Sequence, residues 1–314
     1  MDSIAPPLQY RVLANRAVPG LLQDKEDDHE PIPDQLNLEI PTEFDTQGAK
    51  LTALMQAKAY RGILEMKSLE PRQTTESNLR LTRDTLTQLT GESETNATIW
   101  WNLWKATIRP TVQQFLYKAM HGTYMIGPFW AHVEGHEDRG ICVTCNMTES
   151  MDHILTKCRE QSTHLIWNLA RNLWPHRNIP WPTINLGTIL GCGSITLHAE
   201  NRPGYARDQN EGNILRGPTR LLQIILSESA HLIWVLRCER TIQGKLHSEN
   251  EIRERWLREI NERLTTDKIM ATKIKRDNGF TTLVVNTWEQ ALEKQRGLPV
   301  NWIKLSEVLV GRTA

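Results

Sequence analysis

The sequence predicts a mostly α fold, an irregular helical assembly rather than a repeat array or a sheet protein. Three observations predict it. Apolar residues recur at spacings of three and four along most of the chain, no long run alternates with a period of two, and no internal repeat is present. At 314 residues there is room for about two domains, or for one domain with long tails. Hydrophobic residues make up 39% and charged residues 24%, enough apolar material for a core but no surplus.

Residues 1–46 predict an extended, acidic, proline-rich tail. The first 50 residues hold ten acidic and four basic side chains, a net −6, together with six of the fifteen prolines. Proline removes backbone donors and the acidic run repels itself. The rest of the chain carries the compensating +6, so the formal charge of zero excludes a uniformly basic nucleic-acid binder but not a locally basic one. Residues 47–96 predict a helical linker region. Leu51, Leu54, Ala57, Tyr60, Ile63 and Leu64 mark one helix face, and a weaker helix over Glu76–Leu89 precedes a polar break at Gly91–Asn96.

Within 97–175, Trp100, Trp101, Leu103, Trp104 and Ile108 form a helical pattern closed by Pro110, which opens a second helix ending at Gly122. Residues 121–150, rich in glycine, predict loop, followed by short helices near 151–157 and 163–173. Residues 176–212, punctuated by proline and glycine, predict an irregular loop. Residues 213–314 predict a C-terminal helical region, with a long apolar helix over 213–241 and a second in which Ile252, Trp256, Ile260 and Leu264 recur every four residues. Thr281–Trp288 reads as strand or as helix start.

No apolar run reaches the ~18 residues of a transmembrane helix, and Met1–Tyr10 lacks a signal-peptide pattern. The expectation is an intracellular protein of nucleus or cytoplasm, neither secreted nor bound to a membrane. Five cysteines, an odd number, then argue for reduced thiols or a metal site rather than a disulfide framework.

The metal site has a clear candidate in Cys142, Cys145, His153 and Cys158, spaced C-x2-C-x7-H-x4-C. Two thiolates three positions apart bind one ion from a tight turn, at a Zn–S distance of ~2.3 Å, and the second pair comes from another element. Ser150 is placed to cap a short helix carrying His153. His153 and Cys158 are ~140° apart on an ideal α-helix, so Cys158 belongs where that helix ends. Four protein ligands leave no open position, which makes the expected Zn2+, one per chain, structural. Such sites contribute ~10–16 kcal/mol of apparent binding energy in zinc-finger peptides. The sequence thus adds a small structural zinc module to the helical assembly. Three thiolates leave the site at a formal −1, so any phosphate contact falls to basic neighbours, namely Arg139, Lys157 and Arg159.

His132-x-Glu134 followed by Cys142-x-x-Cys145 superficially matches a zinc-deaminase signature. The seven residues between Glu134 and Cys142 cannot hold the helix and strand that this signature requires, and His153 and Cys158 would have no role.

Trp101-Asn-Leu-Trp104, Pro110, Phe115-Leu-Tyr-Lys-Ala-Met-His-Gly122 and the Cys142/Cys145/His153/Cys158 set, with Glu149-Ser150 before the histidine, resemble a known domain. It is the zinc-binding domain on the C-terminal side of reverse transcriptases in non-LTR (LINE-type) retrotransposon polyproteins of the fungal type. The match covers about residues 98–174, with weaker likeness in Gly48–Lys67 and 213–270. The resemblance implies a domain that holds template RNA or target DNA. It also implies polymerase and ribonuclease H domains, whose residues are not found. The only Asp-Asp pair, Asp27-Asp28, lies in the acidic tail, and no β-rich segment precedes the helices. The expectation is a C-terminal portion of such a polyprotein, or a separately encoded copy, without catalysis.

Elsewhere, helical spacing places Trp101 and Trp104 in the core, and Trp181, between prolines, outside. Arg253, Arg255, Arg258 and Arg263 alternate with Glu251, Glu254, Glu259 and Glu262, a solvated face of i,i+4 pairs. Lys268, Lys273, Lys275 and Arg276 are less balanced by acid and are the second candidate phosphate contact. Gly187, Gly191 and Gly193 lack the Gly-Lys-Ser/Thr of a phosphate-binding loop. Cys192 and Cys238 read as buried thiols, and Ser227 with His231 lacks an acid or oxyanion partner. The sequence therefore favours a non-catalytic, zinc-stabilised module contacting RNA or DNA, with no small-molecule substrate. The alternatives are a zinc-stapled protein-interaction module and a remnant without present activity.

Overall fold

The computed structural model describes residues 55–66, 72–199, 214–274, 279–293 and 297–311. The predicted tail at 1–46, the start of the 47–96 region, and Lys275 and Arg276 lie outside the described residues. The chain divides into two compact units, whose described residues lie before and after the boundary at Pro71/Arg72. In the first unit the described structure is helix α1 (Gln56–Met66).

Among its described residues the regular structure of the second unit is helical apart from one small antiparallel pair and two isolated bridges. Helices α2 (Gln73–Thr90), α3 (Asn96–Leu103) and α4 (Pro110–Met120) come first. Two 3-10 turns, Gly127–His132 and Glu137–Gly140, lead into strands β1 (Ile141–Cys142) and β2 (Met147–Thr148). A π-turn over His153–Lys157, α5 (Gln161–Leu173) and the short α6 (Leu186–Leu190) follow. The chain then forms α7 (Arg216–Gln243), α8 (Glu249–Lys273) and α9 (Phe280–Trp288).

Local chemistry sets several of these boundaries. The Thr95 hydroxyl accepts the Thr98 amide at 3.1 Å at the start of α3. Pro110 occupies the first turn of α4, where its missing N–H has no helical acceptor to lose. Ser248 and Glu251 close a reciprocal capping box at the start of α8. The ambiguous Thr281–Trp288 segment is helix, because Val284 and Trp288, one turn apart, are both fully buried. That packing overrides the strand preference of adjacent valines.

Helix α7 is central and packs against α9, α5, α8 and α4. It is long and apolar enough to cross a membrane by length and composition, yet 78% of its apolar window is buried within the chain. Its apolar residues meet Ile252, Trp256, Ile260 and Leu264 of α8 and Val284 and Trp288 of α9 in one cluster. Each such side chain contributes ~1.5–3 kcal/mol when fully buried. Charged residues on α7 are paired inside this cluster. Arg220 donates two bonds to Asp267, at 2.5 and 2.7 Å, and the Trp288 indole donates to the same carboxylate at 2.7 Å. Glu228 lies 2.7 Å from Arg109 and 3.6 Å from Arg263.

Several expectations are corrected. Residues 186–194, inside the predicted irregular loop, are fully buried as α6 and a following 3-10 turn. A Cβ on Gly187 would lie 2.3 Å from Thr85 Oγ1 and 2.8 Å from the Leu81 carbonyl, so the glycine serves close packing of α6 on α2. Residues 121–150 hold two 3-10 turns and a hairpin rather than plain loop. Buried residues from the described parts of 97–175, 176–212 and 213–314 fall in one hydrophobic cluster. Trp101 is 72% exposed, whereas Trp104 is half-buried against the core. Trp181 is half-buried too, edge-on to Trp174 with ring centroids 6.2 Å apart. Arg255 pairs with Glu239 of α7, and Arg263 is buried and donates to the Thr107 carbonyl at 2.7 Å. These arginines tie helices together rather than forming i,i+4 pairs along α8.

Candidate metal centre

The centre is assembled from two adjacent elements. Strands β1 and β2 pair with Ile141 opposite Thr148 and Cys142 opposite Met147. The four residues between them turn sharply, with the Asn146 amide donating to the Cys142 carbonyl at 2.8 Å and Asn146 in the left-handed region at φ 52°. Asparagine tolerates that region better than most residues. The turn presents Cys142 and Cys145 together.

The other two ligands come from the next turn. The Ser150 hydroxyl accepts the His153 amide at 3.0 Å, as the sequence predicts for a cap. The chain then closes one π-turn, in which the Cys158 amide donates to the His153 carbonyl at 2.7 Å. This five-residue step returns Cys158 to the side of His153, which an α-helical step of ~100° per residue would not do. Cys158 leaves the helix with extended dihedrals, at the expected end.

The ligand atoms of Cys142, Cys145, His153 and Cys158 all lie within 4.8 Å of one another. The Cys158 sulfur is 3.6 Å from that of Cys142 and 3.9 Å from that of Cys145. Sulfurs at ~2.3 Å from a tetrahedral ion are about 3.8 Å apart, whereas a disulfide would bring them to ~2.05 Å. All three thiols are free. The imidazole of His153 is buried, and its Nε2 has no hydrogen-bond partner. A buried polar atom left unsatisfied costs ~1–3 kcal/mol, and coordination would relieve that cost. The four residues therefore fit a metal ion.

Two opposing influences act on the thiols. The Arg159 amide donates to the Cys145 sulfur at 3.2 Å and holds that thiol below its ordinary range. Burial pushes the Cys158 thiol up to about 12. Thiolate is the ligating form, so the buried Cys158 sulfur depends more on a cation beside it than Cys145 does.

The hairpin is anchored to the body of the unit by charge and shape. Glu149, immediately after β2, is buried and ion-paired with buried Arg237 of α7. Glu160, just before α5, accepts the Thr144 hydroxyl at 2.6 Å and lies 3.0 Å from Arg240. Gly127 lies under this link at φ +54°, where a Cβ would fall 2.1 Å from the Glu149 carbonyl. Trp167 of α5 donates to the Leu155 carbonyl at 2.8 Å, fixing the π-turn from below.

The predicted basic contacts divide. Arg139 is half-buried, its guanidinium 5.2 Å from the Trp130 ring centre. Lys157 and Arg159 are exposed next to the centre, Lys157 paired with Asp152 at 2.5 Å. Lys273 is exposed near the end of α8. Lys268 is 7% exposed, which removes it from the candidate phosphate contacts. It sits one turn from Leu264 on the inner side of α8, so burial rather than phosphate holds it.

Sequence reasoning places Glu149 in the motif before His153 but misses its buried partner, Arg237. The signal was the presence of Arg220, Glu228 and Arg237 within the most apolar helix, where an unpaired charge is costly. Protein-family models, curated proteins and solved structures compared with the chain give no match.

Proposed function

We propose that the chain is a non-catalytic, Zn2+-stabilised nucleic-acid-binding module related to the zinc-binding domain of non-LTR retrotransposon polyproteins, contacting template RNA or target DNA. The observation that carries this reading is the Cys142/Cys145/His153/Cys158 set at tetrahedral separations, in the spacing on which the family resemblance rests. A donor set of three thiolates and one imidazole favours zinc over magnesium or calcium, which prefer oxygen ligands. Four protein donors leave no position for substrate, so the ion's role is to hold the hairpin against the π-turn. Lys157 and Arg159, exposed on the same turn, supply positive charge that the site itself, at a formal −1, does not.

The test is filter binding of the zinc-loaded chain to single-stranded and structured nucleic acid across a salt series. Micromolar or tighter affinity that weakens steeply with salt supports the reading, because each phosphate neutralised releases counterions. No binding at low salt overturns it.

A second reading, a zinc-stapled protein-interaction module, is favoured by one observation. Val143, Met147 and Ile141 expose apolar side chains on the hairpin, Val143 at 93%. It predicts a homodimer or complex by light scattering that nucleic acid does not alter.

A further inference from the structure

A groove of about 570 Å³ opens between the end of α4, the 3-10 turns and the C-terminal half of α7. Its walls carry three aromatic side chains, Tyr124, Trp130 and Trp234, and two cations, exposed Lys118 and half-buried Arg139. None of its lining residues is acidic. Arg237 also reaches the groove, but its charge is committed to Glu149. Among the described residues, neither Lys118 nor Arg139 is ion-paired with a carboxylate.

The aromatic walls are braced rather than loose. Tyr124 lies 4.3 Å from Trp234, ring centre to ring centre, Phe115 stacks on Trp234 at 6.2 Å, and the Arg237 guanidinium lies 5.6 Å from the same ring centre. The Trp130 indole donates to the Met125 carbonyl at 2.8 Å, and the Arg139 guanidinium covers part of its ring. Braced rings lose little conformational freedom when a ligand stacks on them.

We propose that this groove binds unpaired nucleotides of single-stranded RNA, with bases against Trp130 and the Tyr124–Trp234 pair and phosphates toward Lys118 and Arg139. This assignment rests on the nucleic-acid reading above and adds to it the site and the strandedness of the ligand. Aromatic platforms beside unpaired cations suit single strands, because every base offers a π-face while a duplex keeps its bases stacked on each other. The charge of the rim complements phosphate, whereas an apolar peptide would leave Lys118 and Arg139 without counter-charge. Thr123 and Thr241 line the same groove, and a threonine hydroxyl is a group able to hydrogen-bond a ribose 2′-OH.

Cys238 lines the groove and supplies a local probe in the native protein. Cys192 is fully buried, and the other three thiols belong to the metal centre. The experiment uses the zinc-loaded chain with labelled oligouridine, its deoxy counterpart and an RNA duplex, and follows iodoacetamide alkylation of Cys238 by mass spectrometry. The expected result has three parts. Oligouridine binds more tightly than the deoxy strand or the duplex, and it slows alkylation of Cys238 several-fold. The substitution Arg139→Ala weakens binding about tenfold at unchanged zinc content and helical signal.

Oligouridine that binds while Cys238 reacts at its free rate overturns the groove and leaves the nucleic-acid reading standing. Absence of all nucleic-acid binding overturns both. Equal affinity for the deoxy strand overturns the assignment to RNA. Protection of Cys238 that rises with protein concentration alone assigns the groove to a second copy of the chain and overturns the proposal.

Discussion

Glu149 and Arg237 form an ion pair whose side chains are only 3% and 6% exposed, joining the metal hairpin to the central helix. Both charges have left water, so each depends on the other. Removing one partner strands the other and is expected to cost ~3–5 kcal/mol. Glu149→Ala and Arg237→Ala should each lower the urea midpoint by a similar amount, and the double variant should lose much less than their sum. A double-mutant cycle from urea denaturation measures this. Additive losses would show that the pair does not couple hairpin to helix.

The metal centre makes a local rather than a global demand on the fold. The thiol and imidazole ligands all lie in the hairpin and π-turn, while the large cluster around α7, α8 and α9 is built without them. One metal ion per chain is expected by elemental analysis, lost on Cys145→Ser. Amide hydrogen exchange should then accelerate over about residues 141–160 while α7 and α8 stay protected. Uniform loss of protection would show instead that the whole unit folds around the ion.

This division also explains what could be read from the sequence. The ligands were legible because metal chemistry fixes residue type and spacing within one short segment. The starts of α3, α4 and α8 likewise lie in local groups, Thr95, Pro110 and Ser248 with Glu251. What could not be read depended on partners far along the chain. Gly187 meets Thr85, Arg263 meets Thr107 and Arg237 meets Glu149, and the last two pairs are 156 and 88 residues apart in the chain. Trp101 and Trp181 share this cause, since helical spacing shows which residues face together but not whether anything covers them.

Acid should loosen the junction between α7 and α8. Glu239 accepts two bonds from Arg255, at 2.7 and 2.9 Å, and lies 2.6 Å from His247. The Arg255 bonds lead in holding its carboxyl down from 4.5 to about 2, with His247 adding to them. A carboxylate whose folded pKa is depressed contributes stability above its unfolded pKa and loses it as pH falls through the folded value. The contribution is therefore complete above about pH 5 and fades between there and about pH 2. Glu239→Gln should lower stability at neutral pH and flatten the acid limb of the stability curve in that window. Urea midpoints at a series of pH values check both, and an unchanged acid limb would remove Glu239 from the account.

Gly187 offers the sharpest test of the buried segment that the sequence presents as loop. A loop glycine on the surface accepts alanine at little cost, and sometimes with a gain from reduced unfolded-state entropy. Here the added methyl would meet the Thr85 hydroxyl at 2.3 Å, the Leu81 carbonyl at 2.8 Å and the Thr85 Cβ at 2.9 Å. The hydroxyl can rotate away, but the carbonyl belongs to the backbone of α2 and moves only with the helix. Overpacking of this kind typically costs ~1–3 kcal/mol. Gly187→Ala should therefore destabilise the chain by that order. Thr85→Ala, which removes the nearest obstruction but leaves the carbonyl, should restore only part of the loss. Gly135, with open space around its missing Cβ but φ +76°, is the control for backbone strain without crowding. A Gly187→Ala variant as stable as the parent would place α6 farther from α2 than the close approach described.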